Sequence, residues 1–134
     1  MDDIDDLKNK YFRALADYQN LEKQTQVWKE DFLKFANQNL IIQLLEVLDD
    51  LEKAQEHLND EGLKIVLDKL IKILTNNGIE EIEVINKEYD AATAETVSVE
   101  PGEENNVVAK VLQKGYKLNG KIIRVAKVSV WQKL

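Results

Sequence analysis

The chain has 134 residues, of which 44% are hydrophobic and 32% charged, and its formal net charge is −7. A composition of that kind excludes a disordered chain, and the acidic excess argues against a general nucleic-acid binder, whose affinity rests on Lys and Arg neutralising phosphates. Zero cysteines exclude disulfides, thiolate zinc sites and a cysteine nucleophile, and the single histidine, His57, leaves no partner for a His-based metal cluster.

The opening "MDDIDD" is acidic where a secretory signal is basic. No apolar run approaches the ~18 residues a membrane span needs, so a cytoplasmic protein without membrane contact is expected. From Ile4 onward the apolar residues follow a seven-residue repeat. Ile4, Tyr11, Tyr18, Thr25, Phe32 and Asn39 take one seam position, and Leu7, Ala14, Leu21, Trp28, Phe35 and Ile42 take the other. Five heptads without Pro or Gly predict one helix of about 40 residues, roughly 60 Å long, zipped to a partner helix. Such a helix has nowhere else to bury its stripe, so a homodimer is expected, with a monomer as the alternative. The seam is weak: Tyr, Thr and Asn stand where Ile, Val or Leu pack best, and in a parallel pair Asp17 would face the Glu22 of the other chain. This portion is therefore expected to melt below the rest of the molecule.

After Asn39 the repeat gives way to a denser pattern, Leu40, Ile41, Leu44, Leu45, Leu48 and Leu51, too broad for a two-helix seam. Asp60 is placed to cap a further helix carrying Leu63, Val66, Leu67, Leu70, Ile71, Ile73 and Leu74, which ends at Gly78. Two helices per chain, doubled by symmetry, predict a four-helix bundle. Beyond Gly78 the pattern turns to short β-rich runs: 79–85, 96–100, 107–112 and 122–131. Asn119-Gly120 supplies a type I′ hairpin turn and Pro101-Gly102 another turn. The predicted fold class is α+β: a long coiled-coil helix over 1–39, a dimerisation bundle over 40–77 and a small, mostly antiparallel β-domain over 78–134.

Charge is divided unevenly along this plan. Residues 107–134 hold seven basic side chains and no acidic one, while the first 106 hold 11 basic against 25 acidic, a balance of −14. A basic sheet suits an acidic surface and would raise on-rate and specificity; a solvated lysine face is the plainer reading. Catalytic constellations are missing. The five glycines stand singly, so no phosphate-binding loop can be drawn, and no enzyme activity or cofactor is expected. The carboxylates Asp49, Asp50, Glu52 and Glu56 spread over more than one helical face, as a solvated surface does, although a metal or acid-base site is the competing reading. Trp28 reads as seam core, and Trp131 as either core or contact.

Three segments carry a resemblance. "RALADYQNLEKQT" (13–25), "LLEVLDDLEKA" (44–54) and "LQKGYKLNGKIIRVAKVSV" (112–130) stand in the order of the motifs of the GrpE family, the nucleotide exchange factors of the DnaK-type heat-shock chaperone. Departures are Glu46 where the family usually has proline, Ala94 where it usually has histidine, and Lys53 and Lys121 where it often has arginine, which keeps charge but loses the bidentate fork. The resemblance implies a dimer of parallel long helices, a four-helix bundle and one β-wing per subunit, a wing pressing into the chaperone's ATPase domain to open the nucleotide cleft and release ADP. Carried over by position, Lys53, Glu56, Leu112, Lys121 and Val130 are the partner-contact candidates. For Leu112 and Val130 the sheet core is the competing role, and for Lys53 and Glu56 solvent. The expected dimer interface is Leu7, Tyr11, Tyr18, Leu21, Trp28, Phe32, Phe35, Leu44, Leu48 and Leu51. The weak seam further suggests a thermosensor, and Gly62 matches a family glycine. The rival reading is a dimeric coiled-coil scaffold whose basic sheet binds another acidic partner.

Overall fold

The computed structural model describes residues 2–133. The chain divides into two compact units, Met1–Ala36 and Asn37–Leu134.

The first unit is one helix, α1 (Asp3–Phe35). Asp2 caps it by accepting from the Ile4 N–H at 3.3 Å; Asp3, Asp5 and Asp6 in the first turn and Lys34 in the last complement the helix dipole. No residue of α1 is buried, and the stripe Ile4, Leu7, Tyr11, Tyr18, Leu21, Trp28 and Phe32 is more than half exposed throughout. Trp28 stacks on Phe32 one turn away with ring centroids 5.5 Å apart, a contact within the stripe itself.

The helix expected to run unbroken to Asn39 stops at Phe35. Ala36 is still right-handed, but Asn37 leaves the helical region (φ −93°, ψ 4°), and its carbonyl opens the next helix by accepting from the Ile41 N–H at 2.9 Å. "NQN" (37–39) places two poor helix formers where the heptad stripe runs out, and no burial offsets that preference.

The second unit begins with α2 (Gln38–Leu58) and α3 (Glu61–Asn76), which pack an antiparallel pair around Ile41, Leu45, Leu48, Leu67 and Leu74. Their connection is closed tightly. Asn59 takes the left-handed conformation and donates to the Gln55 carbonyl, while the Gln55 amide brackets Asp60 through both its N–H and its C=O. Asp60 then caps α3 as expected, accepting from the Leu63 N–H at 2.9 Å. A methyl on Gly62 would press on that capping carboxylate at 3.1 Å, a physical role for this glycine. Gly78 ends α3 with φ +94°, and its carbonyl accepts from the Asn119 N–H at 2.9 Å, tying the helix end to the hairpin tip.

The β-lobe holds two three-stranded sheets. β1 (Ile79–Glu81), β4 (Tyr116–Leu118) and β5 (Lys121–Arg124) form an antiparallel sheet in the order β1-β4-β5. β2 (Ala94–Gly102), β3 (Val108–Gln113) and β6 (Ala126–Lys133) form the other, with β6 central, antiparallel to β3 and parallel to β2. Asn119 and Gly120, both at positive φ (48° and 86°), make the expected turn of the β4–β5 hairpin. The expected 96–100 run extends to 94–102, taking Pro101-Gly102 into β2, paired with Gln132 and Lys133, where a turn was expected, and the 107–112 run shifts to 108–113; the other two runs differ more. The 79–85 run is strand only to Glu81, because Ile82 and Val84 leave the sheet to fill the lobe core with Ala94, Val108, Ala126, Val128 and Val130. The 122–131 run is two strands, since the chain changes sheets at Val125. Gly115 marks that crossing: a Cβ there would lie 2.5 Å from the Ala126 N, so only glycine lets the two segments touch.

Candidate functional site

A groove of about 280 Å³ runs between α2 and β3, lined by Asp49, Glu52, Lys53, Glu56, Val111, Leu112, Gln113 and Lys114. Three of the five partner-contact candidates, Lys53, Glu56 and Leu112, meet there although 56 positions separate Glu56 from Leu112 in the sequence. Lys53 and Glu56 are exposed, one turn apart on one face of α2. Leu112 is half exposed (51%), so it belongs to the surface and not to the sheet core. An apolar side chain sharing a groove with a cation and an anion suits a protein partner better than a small ligand.

The other two candidates lie elsewhere. Lys121 stands at the exposed start of β5 with its Nζ 3.4 Å from the Gln38 Oε1 on α2. Val130 is buried (7%) in the middle of β6, between β2 and β3, and fills the lobe core. For Val130 the burial favours the competing role, packing in the sheet core. Leu48 is likewise buried, 1% exposed within its own chain, where it packs in the α2–α3 pair. Leu44, Leu51 and Phe35 are intermediate.

An ion-pair network runs along the groove where the sequence predicts a solvated surface, with a metal or acid-base site as the competing reading. Arg124 lays its guanidinium fork on Asp49, Nη1 to Oδ2 at 2.6 Å and Nη2 to Oδ1 at 2.9 Å, with both side chains under one-fifth exposed. The Arg124 Nε and Nη2 also donate to the Lys114 carbonyl at 2.9 and 2.6 Å, and Gln113 donates to Asp49 at 3.2 Å. Lys114 pairs with Glu52, one turn beyond Asp49, at 2.9 Å. The Tyr116 ring lies beneath the guanidinium, 5.1 Å from the Arg124 Cζ. Burial alone would lower the Lys114 ammonium, but the hydrogen bond and charge of Glu52, with Glu81 and Asp49 behind, outweigh it and hold the pKa above its ordinary value. Burial pushes the Tyr116 phenol well up, and Glu52 and Glu81 add to the shift.

No sequence periodicity could find these pairs, because Asp49 and Arg124 stand 75 positions apart. The available signal was chemical: one arginine among six lysines in the basic segment, where a planar fork is needed. Asp50 and His57 are exposed, and among the described residues no grouping of His, Asp and Glu can hold a metal ion. Among those residues no helix is long and apolar enough to cross a membrane.

The GrpE family model matches residues 1–132. Protein GrpE of Methanosphaera stadtmanae is 41% identical to this chain, the alignment covering 98% of the chain and 79% of the relative. Protein GrpE of Clostridioides difficile is 39% identical over 96% of the chain and 66% of the relative, and that of Picrophilus torridus 38% identical over 97% and 71%. The long exposed helix, the α2–α3 pair and the β-lobe with its basic C-terminal segment are thus features of a chain that belongs to the GrpE family, the co-chaperones of DnaK-type chaperones.

Proposed function

We propose that this protein is a nucleotide exchange factor acting as a homodimer in the cytoplasm. It binds the ATPase domain of a DnaK-type chaperone through the α2–β3 groove and the lysine-bearing β5 edge, and holds the nucleotide cleft open. The observation that carries this reading is the gathering of Lys53, Glu56 and Leu112 on one groove of a chain of this family. Chemistry is left to the chaperone. A lobe that binds the open cleft better than the closed one shifts the ATPase domain toward opening, and by linkage ADP must weaken the exchange factor by the same factor.

Dimerisation is supported by the stripe of α1, exposed along its whole length, and by Leu40, Val47, Ile65, Val66 and Ile73, which α2 and α3 leave in solvent. Apolar faces that continuous are covered in a stable protein, and a heptad stripe is covered by another such helix. A thermosensor role for α1 follows from its weak seam: warming separates the stripe first and lowers exchange while the second unit stays folded.

Stopped-flow release of a fluorescent ADP analogue from the chaperone tests the reading. Release accelerated in proportion to the protein's concentration up to saturation is the expected result; binding with no change in the release rate would leave a scaffold and remove the exchange function.

A further inference from the structure

We propose that the Asp49–Arg124 pair is an orientation lock, which fixes the angle between α2 and the β-lobe and thereby makes both residues positioning residues for exchange. The proposal rests on the exchange reading above and adds residues to it.

Arg124 touches three parts of the second unit at once. Its fork faces Asp49 on α2, its Nε and Nη2 hold the Lys114 carbonyl in the β3–β4 link, and its own backbone ends β5 where the chain changes sheets. That crossing is rigid, because Gly115 packs on the backbone of Arg124 and Ala126 and its carbonyl accepts from the Ile82 N–H at 2.9 Å. The guanidinium is therefore fixed to the lobe before it meets the helix. A planar two-point pair defines a direction as well as a distance, which a single ammonium contact does not. Gln113 adds a single neutral contact to the same Asp49 carboxylate at 3.2 Å, and two further contacts of α2 with the lobe are of the weaker kind. Lys114–Glu52 is one point, and Gln38–Lys121, about three turns earlier, is long at 3.4 Å and exposed.

The groove lies across this joint. Lys53 and Glu56 stand on the helix side and Leu112 on the lobe side, so their mutual spacing is set by the angle that the pair holds. A partner that must be both gripped and wedged open needs that spacing fixed beforehand, since misplacement of about 1 Å in a positioned group can cost up to a hundredfold in rate.

The test uses the full chain, which has no cysteine of its own. Asp50→Cys on α2 and Lys127→Cys on β6, both exposed positions, take spin labels, and the labelled protein is diluted into unlabelled protein so that only distances within one chain are read. Electron–electron resonance distances and ADP release are measured with the native pair, with Asp49→Asn and with Arg124→Lys. The expected result is a broadened distance distribution in both variants. The saturating release rate falls about tenfold, while the half-saturating concentration changes less than about threefold, the signature of an interaction used at the open cleft and not in uniform binding. Should Asp49→Asn fail to fold by circular dichroism, Arg124→Lys, which keeps the charge, carries the comparison. An unchanged distribution, or a broadened one with unchanged release, overturns the proposal. A native protein that never accelerates ADP release overturns the exchange reading instead, and the distance arm still decides whether the lock exists.

Discussion

Single positions in this chain divide into those whose role is local and those whose role is set by a distant partner. Asp60, Gly78 and Asn119-Gly120 are of the first kind: a cap, a helix stop and a turn, each dictated by backbone chemistry within a few residues, and each is where the sequence pattern put it. Asp49, Glu52 and Arg124 are of the second kind, and no spacing rule reaches across 75 positions. Gly115 also belongs there, since what forbids a side chain is the Ala126 backbone. Gly115→Ala is expected to destabilise the second unit by about 2–4 kcal/mol, because backbone and not a flexible side chain must yield. Gly120→Ala, which meets open space and pays only for its positive φ, is expected to cost about 1 kcal/mol. Urea denaturation of the two variants checks the order. Lys114 and Tyr116 give a pH expectation. Both folded-state pKa values are raised, so both contributions are complete below the unfolded values of 10.5 and 10.0 and are lost as pH rises through the higher folded ones. Stability of the second unit is therefore expected to fall on the alkaline side, beyond about pH 10, and a decline there that Tyr116→Phe and Lys114→Met together fail to reduce would contradict it.

Elements were legible in proportion to how regular their burial is. The heptad of α1 and the dense stripe of α2 announce helices because their periods persist, and the turn at Asn37 was missed because no Pro or Gly marks it. Strand limits were less legible: Ile82 and Val84 are as β-prone as any strand residue, yet they serve the core outside the ladder, and Val125 hides a change of sheet inside a β-rich run that no Pro or Gly interrupts. Asn37→Ala is expected to favour a continuous helix by about 0.5–0.7 kcal/mol on propensity alone, read as a gain in helical ellipticity at low temperature. In α1 no side chain is buried within the chain, whereas α2 and α3 share a core, so the two should melt apart. Trp28 fluorescence is expected to shift at a lower temperature than the ellipticity of the second unit is lost. A single coincident transition would contradict the thermosensor reading.

At the scale of the whole molecule the chain carries one exposed helix in its first unit and a helix pair with a β-lobe in its second. The fold class and the family could be read from the chain, because three motifs keep their order in it. Of the candidate site, Lys53, Glu56 and Leu112 converge on one groove, while Val130 and Leu48 turned inward, since an apolar residue on a short strand or helix reads alike whether its face meets a partner or a core. The groove itself offers the most direct test. ADP release from a DnaK-type chaperone is followed by stopped flow with the native protein and with Lys53→Ala combined with Leu112→Ala, two surface changes that leave the Asp49–Arg124 pair in place. The account predicts saturable acceleration by the native protein and a rise of at least about tenfold in the concentration the double variant needs, as loss of about 1.4 kcal/mol of binding requires. Equal acceleration by both proteins, at equal concentrations, would contradict it.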